Sequence, residues 1–228
     1  MVVTPARLAE LATVTDPLVL NEAGRLLAEV DPACFGPGAG YRSLRVAVIA
    51  TFTADEVVPV LRALLAAAGI APVIHLCPYD QVSHQLSDPG SHLHTFRPDV
   101  TLLLQDSAGW LPRTWNPADL DRVADEVRDR VAARIAEAGG FADRSGSVVL
   151  LHTVPLPSLE RRTVISFRGA ARLGRIWREA NTALLSAGED RAGVYTVDLE
   201  AALLEAPGPV RDERRYRYGR MAWARRPS

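Results

Sequence analysis

Apolar and polar positions change rhythm repeatedly along this chain. Short apolar runs suited to buried strands fall at Arg45–Ala50, Pro72–Leu76, Val100–Gln105, Ser147–His152 and Gly193–Asp198. Between them, residues at about 55–68, 117–138 and 169–187 repeat apolar side chains every three or four positions, the period of a helix with one buried face. In the 117–138 segment Leu120, Val123, Val127, Val131 and Ile135 make one stripe, with Asn116 and Pro117 suited to its start and Gly139-Gly140 to its end. Leu173, Ile176, Trp177, Ala180 and Leu184 share a face of the 169–187 segment. Strands alternating with amphipathic helices predict an α/β fold: a doubly wound, mostly parallel five-stranded sheet with helices on both sides.

Upstream, residues 1 to about 30 read as two short helices anchored by Leu8, Leu11, Leu18, Leu20, Leu26 and Leu27. A Pro/Gly-rich loop, DPACFGPGAG, separates them from the first strand. The expected organisation is a helical extension over residues 1–40 packed on a core domain over 41–228. At 228 residues, 48% hydrophobic and 23% charged, the chain suits one α/β domain with a sizeable core. No apolar run reaches the roughly 18 residues of a membrane span. The acid and proline in MVVTPARLAE do not suit a signal peptide, so the expected address is the cytoplasm.

All 26 basic residues are arginine. Without lysine there is no Schiff base, no pyridoxal-phosphate linkage, no lysine general base and no Walker A lysine. The two cysteines, Cys34 and Cys77, support neither a disulfide framework nor a cysteine zinc cluster. His92-x-His94 alone does not define a metal site, and no metal or cofactor is expected. Seven arginines crowd the last 18 residues, either as a solvated tail or as a surface for an acidic partner or anionic substrate. With a net charge of −1 and no finger or aromatic platform, nucleic acid is not an expected partner.

In a doubly wound sheet, chemistry gathers just past the carboxyl ends of the strands. The first strand runs into Ala50-Thr51-Phe52-Thr53 and then a helix, a junction that suits anion binding. Thr53-Ala54-Asp55-Glu56 also fits a capping box, so Thr53 is either a cap, an anion contact or both. No local cap explains Thr51, which makes it a candidate for the pocket. Strand two offers His75, Tyr79, Asp80 and Gln81, and strand three Gln105, Asp106 and Ser107. Asp106 is either a tuned base or a carboxylate bound to backbone amides or Arg113. His152 ends the apolar run VVLL, either as a hydrogen-bonded core residue or as a group acting on substrate. Asp212 and Arg214 follow the fifth strand.

Leu44–Gly69, Cys77-Pro78-Tyr79-Asp80-Gln81, Ser91–Asp106 and Ile176–Ala202, with Asn181 and Tyr195-Thr196-Val197-Asp198-Leu199, together resemble the amino-terminal domain of FkbH-type proteins. The resemblance spans most of residues 20 to 223. It implies an SGNH-hydrolase-like fold and a place in polyketide-type biosynthesis, where such proteins load glyceryl units onto acyl carrier proteins. The HAD-type domain that follows in those proteins has no counterpart in these 228 residues, so a stand-alone domain is expected. An SGNH hydrolase places a nucleophilic serine in the first strand-end turn and pairs a late aspartate with a histidine three residues on. Here the turn has no serine, and Asp212 is followed by Arg215 at the histidine position. Serine hydrolysis needs nucleophile, base and orienting acid together, so ordinary esterase activity is not expected.

The leading expectation is a biosynthetic enzyme acting without a covalent serine intermediate on a substrate tethered to an acidic carrier protein. Intramolecular displacement of sulfate or phosphate by an amine, closing an azabicycle or aziridine ring, is such a reaction, by resemblance to stand-alone FkbH-like proteins. The expected catalytic residues are Asp106, His152 and Asp212, with Thr51, Thr53, Asp80, Gln105 and Arg214 on the substrate or anion. Two alternatives stay open: a non-catalytic docking or partner subunit for a biosynthetic enzyme or carrier protein, and a residual SGNH-type esterase or acyltransferase; a small partner subunit is a further candidate partner.

Overall fold

The computed structural model describes residues 8, 10–35, 40–112, 114–156 and 158–205. Five strands, β1 (Arg42–Ala50), β2 (Ile70–Leu76), β3 (Val100–Leu104), β4 (Val148–His152) and β5 (Val194–Val197), form one sheet in the order β2-β1-β3-β4-β5. Every pairing is parallel: Val46 lies opposite Ile74 and Val100, and Leu150 opposite Leu102 and Tyr195. This is the flavodoxin-like doubly wound order, whose strand sequence reverses between β1 and β3.

Pleating divides β1 between two cores. Ala47 and Ile49 face a layer containing α3 (Val82–Ser87), α4 (His92–Phe96), α5 (Leu120–Ser145) and α7 (Phe167–Asp190), with Leu103, Phe141, Leu151 and Trp177 buried there. Val48, Ala50 and Phe52 face the opposite side, against Val57 and Leu61 of α2 (Val57–Ala67). Helix α1 (Pro17–Ala28) lies outside α2, where Leu20 and Leu27 cover Ala63 and Ala66. Its anchors differ from the expected set: Leu20 and Leu27 are buried, whereas Leu18 is exposed. The crossing is tight at Gly24, where a Cβ would lie 1.8 Å from the carbonyl oxygen of Pro59.

Three helix boundaries depart from expectation. Helix α5 runs through Gly139-Gly140 to Ser145 and ends at Gly146, which takes the left-handed conformation at φ 71°. Two glycines cost roughly 1 kcal/mol each in a helix. Burial of Phe141, worth about 2–3 kcal/mol, together with Ala138 and Ala142, offsets that. Its cap is Asp119, whose side chain accepts from the Arg122 amide at 3.3 Å, and not Asn116, which closes an Asx turn onto Ala118 N–H at 2.9 Å. Helix α2 begins at Val57, two residues later than expected, with Glu56 at the cap position and no capping bond from the Glu56 side chain. Two short helices, α6 (Ser158–Thr163) and α8 (Leu199–Glu205), complete the described chain. No described helix is long and apolar enough to cross a membrane.

Candidate functional site

The strand-order reversal between β1 and β3 leaves a crevice at their carboxyl ends, and there the structure joins Thr51 to Asp106. Thr51 Oγ1 donates to Asp106 Oδ1 at 2.9 Å, and the Asp106 backbone N–H donates to the same Thr51 oxygen at 2.9 Å. A hydroxyl is both donor and acceptor, so one residue satisfies both bonds. The Thr51 N–H is bonded in turn to Leu104 O at 3.1 Å. Both side chains are largely enclosed, Thr51 at 7% and Asp106 at 5% exposure. Gly109, in the one-turn helix Ser107–Gly109, packs close by: a Cβ on it would stand 3.7 Å from the Thr51 methyl.

The adjoining end of β4 carries His152, and its hydrogen bonds fix its state. The Gln105 backbone N–H reaches His152 Nε2 at 2.9 Å. A backbone amide only donates, so Nε2 is unprotonated and the proton sits on Nδ1, which donates to Thr153 O at 2.8 Å. Burial pushes the His152 pKa below the usual imidazole value, partly opposed by the Thr153 carbonyl. Both ring nitrogens are spent on backbone, so His152 ties the ends of β3 and β4 together and offers substrate no free nitrogen. The Gln105 side chain is buried as well, and its Nε2 has no hydrogen-bond partner among the described residues.

Beyond β4 the loop is held by Asn181 of α7. Asn181 Oδ1 accepts from Val154 N–H at 2.9 Å, while its Nδ2 donates to Val154 O at 3.0 Å and to Glu200 at 2.7 Å. Trp177 Nε1 donates to the same Val154 carbonyl. Thr153 Oγ1 donates to Asp198 at 3.1 Å and accepts from Glu200 N–H at 3.0 Å. Arg130 of α5 donates to Leu111 O at 3.2 Å and Gly109 O at 3.4 Å, setting a guanidinium over the loop that carries Asp106. Asn181 and Arg130 organise this region and were not among the expected site residues. Arg130 sits on the polar side of a strongly patterned helix, where no motif distinguishes it from a solvated charge.

The remaining expected residues scatter. Asp80 is exposed after β2 in a left-handed backbone, φ 54°, with its N–H on Ala50 O at 3.2 Å. Thr53 lies in the turn between β1 and α2, half-buried. Asp212, Arg214 and Arg113 lie outside the described residues. His75 stacks on Phe96 with ring centroids 5.0 Å apart, and burial lowers its pKa. Among the described residues, no three His, Cys, Asp or Glu side chains gather as a metal site. A groove of about 520 Å³ between α5 and α7, lined by Val127, Val131, Ile135, Ile176 and Ala180, holds none of these groups.

No family model matches the sequence, and no curated protein matches it. Among solved structures, the N-terminal part of the protein BF1531 from Bacteroides fragilis, which contains a phosphatase domain and was crystallised with Mg, is similar with a TM-score of 0.68 at 14% identity. The match covers 92% of this chain and 52% of that one, so this chain spans about half of its neighbour. A lipase/acylhydrolase from Enterococcus faecalis aligns at a TM-score of 0.38 and 18% identity over 72% of this chain and 80% of that one, too distant to carry an inference. The first likeness establishes a shared fold. The chain is an α/β protein with a five-stranded, all-parallel, doubly wound sheet.

Proposed function

We propose that the chain is a non-hydrolytic biosynthetic enzyme working at the crevice between β1 and β3, with Asp106 as proton acceptor and Thr51 as the group that orients it. The observation that carries this is the reciprocal, enclosed Thr51–Asp106 pair at the strand-order reversal, beside a histidine whose nitrogens are both occupied. A histidine-based hydrolase has no free base in this arrangement, whereas a carboxylate at a crevice suits removal of a proton from an amine.

The reaction we assign is intramolecular displacement on a carrier-tethered substrate. The amine lone pair forms the new C–N bond, the C–O bond to sulfate or phosphate breaks with its electron pair leaving on the anion, and the amine proton passes to Asp106. No oxidant or cofactor is needed to balance it. The amino end of α2 follows the turn after β1, where its backbone dipole favours a departing anion. The FkbH-type resemblance supports a carrier-bound substrate.

The test is Asp106→Asn, assayed by mass spectrometry for loss of sulfate or phosphate from a carrier-bound amino substrate. Turnover should fall by about 10²–10⁴-fold with substrate binding unchanged, and unchanged turnover removes Asp106 from the mechanism. A second reading is favoured by the complete hydrogen bonding of His152: a non-catalytic docking subunit. Turnover by the isolated chain rules that out. A Thr51-dependent acyl transfer is tested with acyl esters against wild type and Thr51→Ala, and activity in neither ends it.

A further inference from the structure

Helix α7 overshoots the sheet. Its Asn181 is bonded to Val154, just past the end of β4, and its last turns run back along β5, where Thr196 Oγ1 bonds Leu184 O at 2.6 Å. Phe167 begins the helix fourteen residues before Asn181, roughly 21 Å along the helix at 1.5 Å per residue. The projecting end is braced by α5: Arg172 bonds Asp121 at 2.6 Å, and a Cβ on Gly169 would stand 3.7 Å from Leu120.

At this tip Ile165 is 98% exposed and Phe167 96%. Their exposure is built in. Val164 is buried, Ser166 is extended and caps α7 by accepting from Gly169 N–H at 2.9 Å, so Ile165 and Phe167 are left turned outward. A hydrophobic residue before an N-cap ordinarily packs against the fourth helical residue. Here that residue is Ala170, which is too short to cover Ile165. Arg161, Arg162 and Arg168 lie within four residues of the pair along the chain, all exposed, and none makes an ion pair among the described residues. Neighbouring Arg172 and Arg175 are paired, with Asp121 and Glu179.

We propose that Ile165, Phe167, Arg161, Arg162 and Arg168 form the docking surface for an acidic protein that delivers the substrate to the β1/β3 crevice. The partner role rests on the function proposed above; the surface itself rests on exposure and charge. Unpaired arginines around two apolar side chains complement carboxylates around an apolar recess, and a centre of buried apolar contacts inside a charged rim is the usual anatomy of an interface. A protein fits better than a lipid surface, because a membrane-bound helix presents a long apolar face. The apolar face of α7, Leu173, Ile176, Trp177 and Leu184, is already in the core. A tip standing off the crevice would hold the partner clear of the sheet while a flexible tether reaches down to Asp106.

The test titrates the full chain with a panel of purified small acidic carrier proteins, in apo and phosphopantetheinylated forms, and with phosphatidylglycerol vesicles. Ile165→Ser/Phe167→Ser and Arg161→Glu/Arg162→Glu are compared with wild type, and circular dichroism confirms folding. The expected result is saturable binding of at least one carrier that weakens with salt, and loses at least tenfold in affinity in each double variant. Turnover of a substrate carried on free pantetheine should stay unchanged in both variants, which separates loss of docking from failure of the site. Carrier binding indifferent to both variants overturns the proposal, as does binding by no member of the panel. Vesicle binding that depends on these residues without carrier binding overturns it in favour of a lipid surface.

Discussion

Replacing His152 probes the joint between fold and site most directly. In His152→Ala the Gln105 amide loses its acceptor at a buried position, which costs about 1–3 kcal/mol, and the missing ring leaves a cavity. Together these amount to about 3–4 kcal/mol, or a fall in melting temperature of about 6–16 °C for a chain of this size. His152→Gln differs, because a glutamine Oε1 reaches the position of Nε2 and accepts the same amide proton; its loss should stay within about 1.5 kcal/mol. Urea denaturation followed by tryptophan fluorescence reports on this region, since Trp110 and Trp177 are buried with ring centroids 5.6 Å apart.

The same residue sets a pH dependence. With its folded pKa below that of the unfolded chain, the unfolded state binds the extra proton first as pH falls. Stability is therefore full above about pH 6.5 and declines as pH drops below it. His75, also lowered by burial, acts in the same direction. His152→Gln should flatten part of that decline. Equal destabilisation by alanine and glutamine would refute the acceptor role. Loss of turnover in a stably folded His152→Gln would show that the ring touches substrate instead of positioning Gln105.

Three further outcomes are expected. Gly24→Ala should destabilise by about 2 kcal/mol in chemical denaturation, because the new methyl meets the Pro59 backbone, even though alanine is otherwise the better helix former; a stabilised variant would mean that α1 and α2 cross less closely. Asn181→Asp, nearly identical in shape, should lower stability at least as much as Asn181→Ala, because it sets a carboxylate against Glu200 and the Val154 carbonyl; thermal melts decide this. In the native protein a thiol reagent should label exposed Cys34 and spare buried Cys77, whose pKa is pushed up to about 12, and denaturant should release the second thiol.

Strand positions were legible from the apolar runs, and Thr51 and Asp106 stood out as candidates because they follow strand ends and no local cap explains Thr51. Their contact was not legible. It spans 55 positions and exists only because β3 lies beside β1, while β2, next in sequence, lies on the other side of β1. His152 was recognisable as a strand-end histidine, but its bond to a backbone amide of a different strand leaves no trace in side-chain pattern. Gly139-Gly140 misled because a glycine pair signals a helix end from local propensity alone. Here Arg191 crosses at Gly139, where a Cβ would collide with its side chain, and burial of Phe141 carries the helix onward.

The overhang of α7 divides that helix into two stabilities. All its buried residues, from Leu173 to Ala187, lie in its later part; the stretch from Phe167 to Arg172 buries none. The early turns are held by propagation from the anchored part, the Ser166 cap and the Arg172–Asp121 pair, so they should open without the rest of the protein unfolding. Amide exchange along α7 should then fall steeply across one turn near Leu173, fast before it and close to the global rate after it. One continuous helix would thus carry a soft end and a fixed end, with the boundary drawn by where its apolar face enters the core.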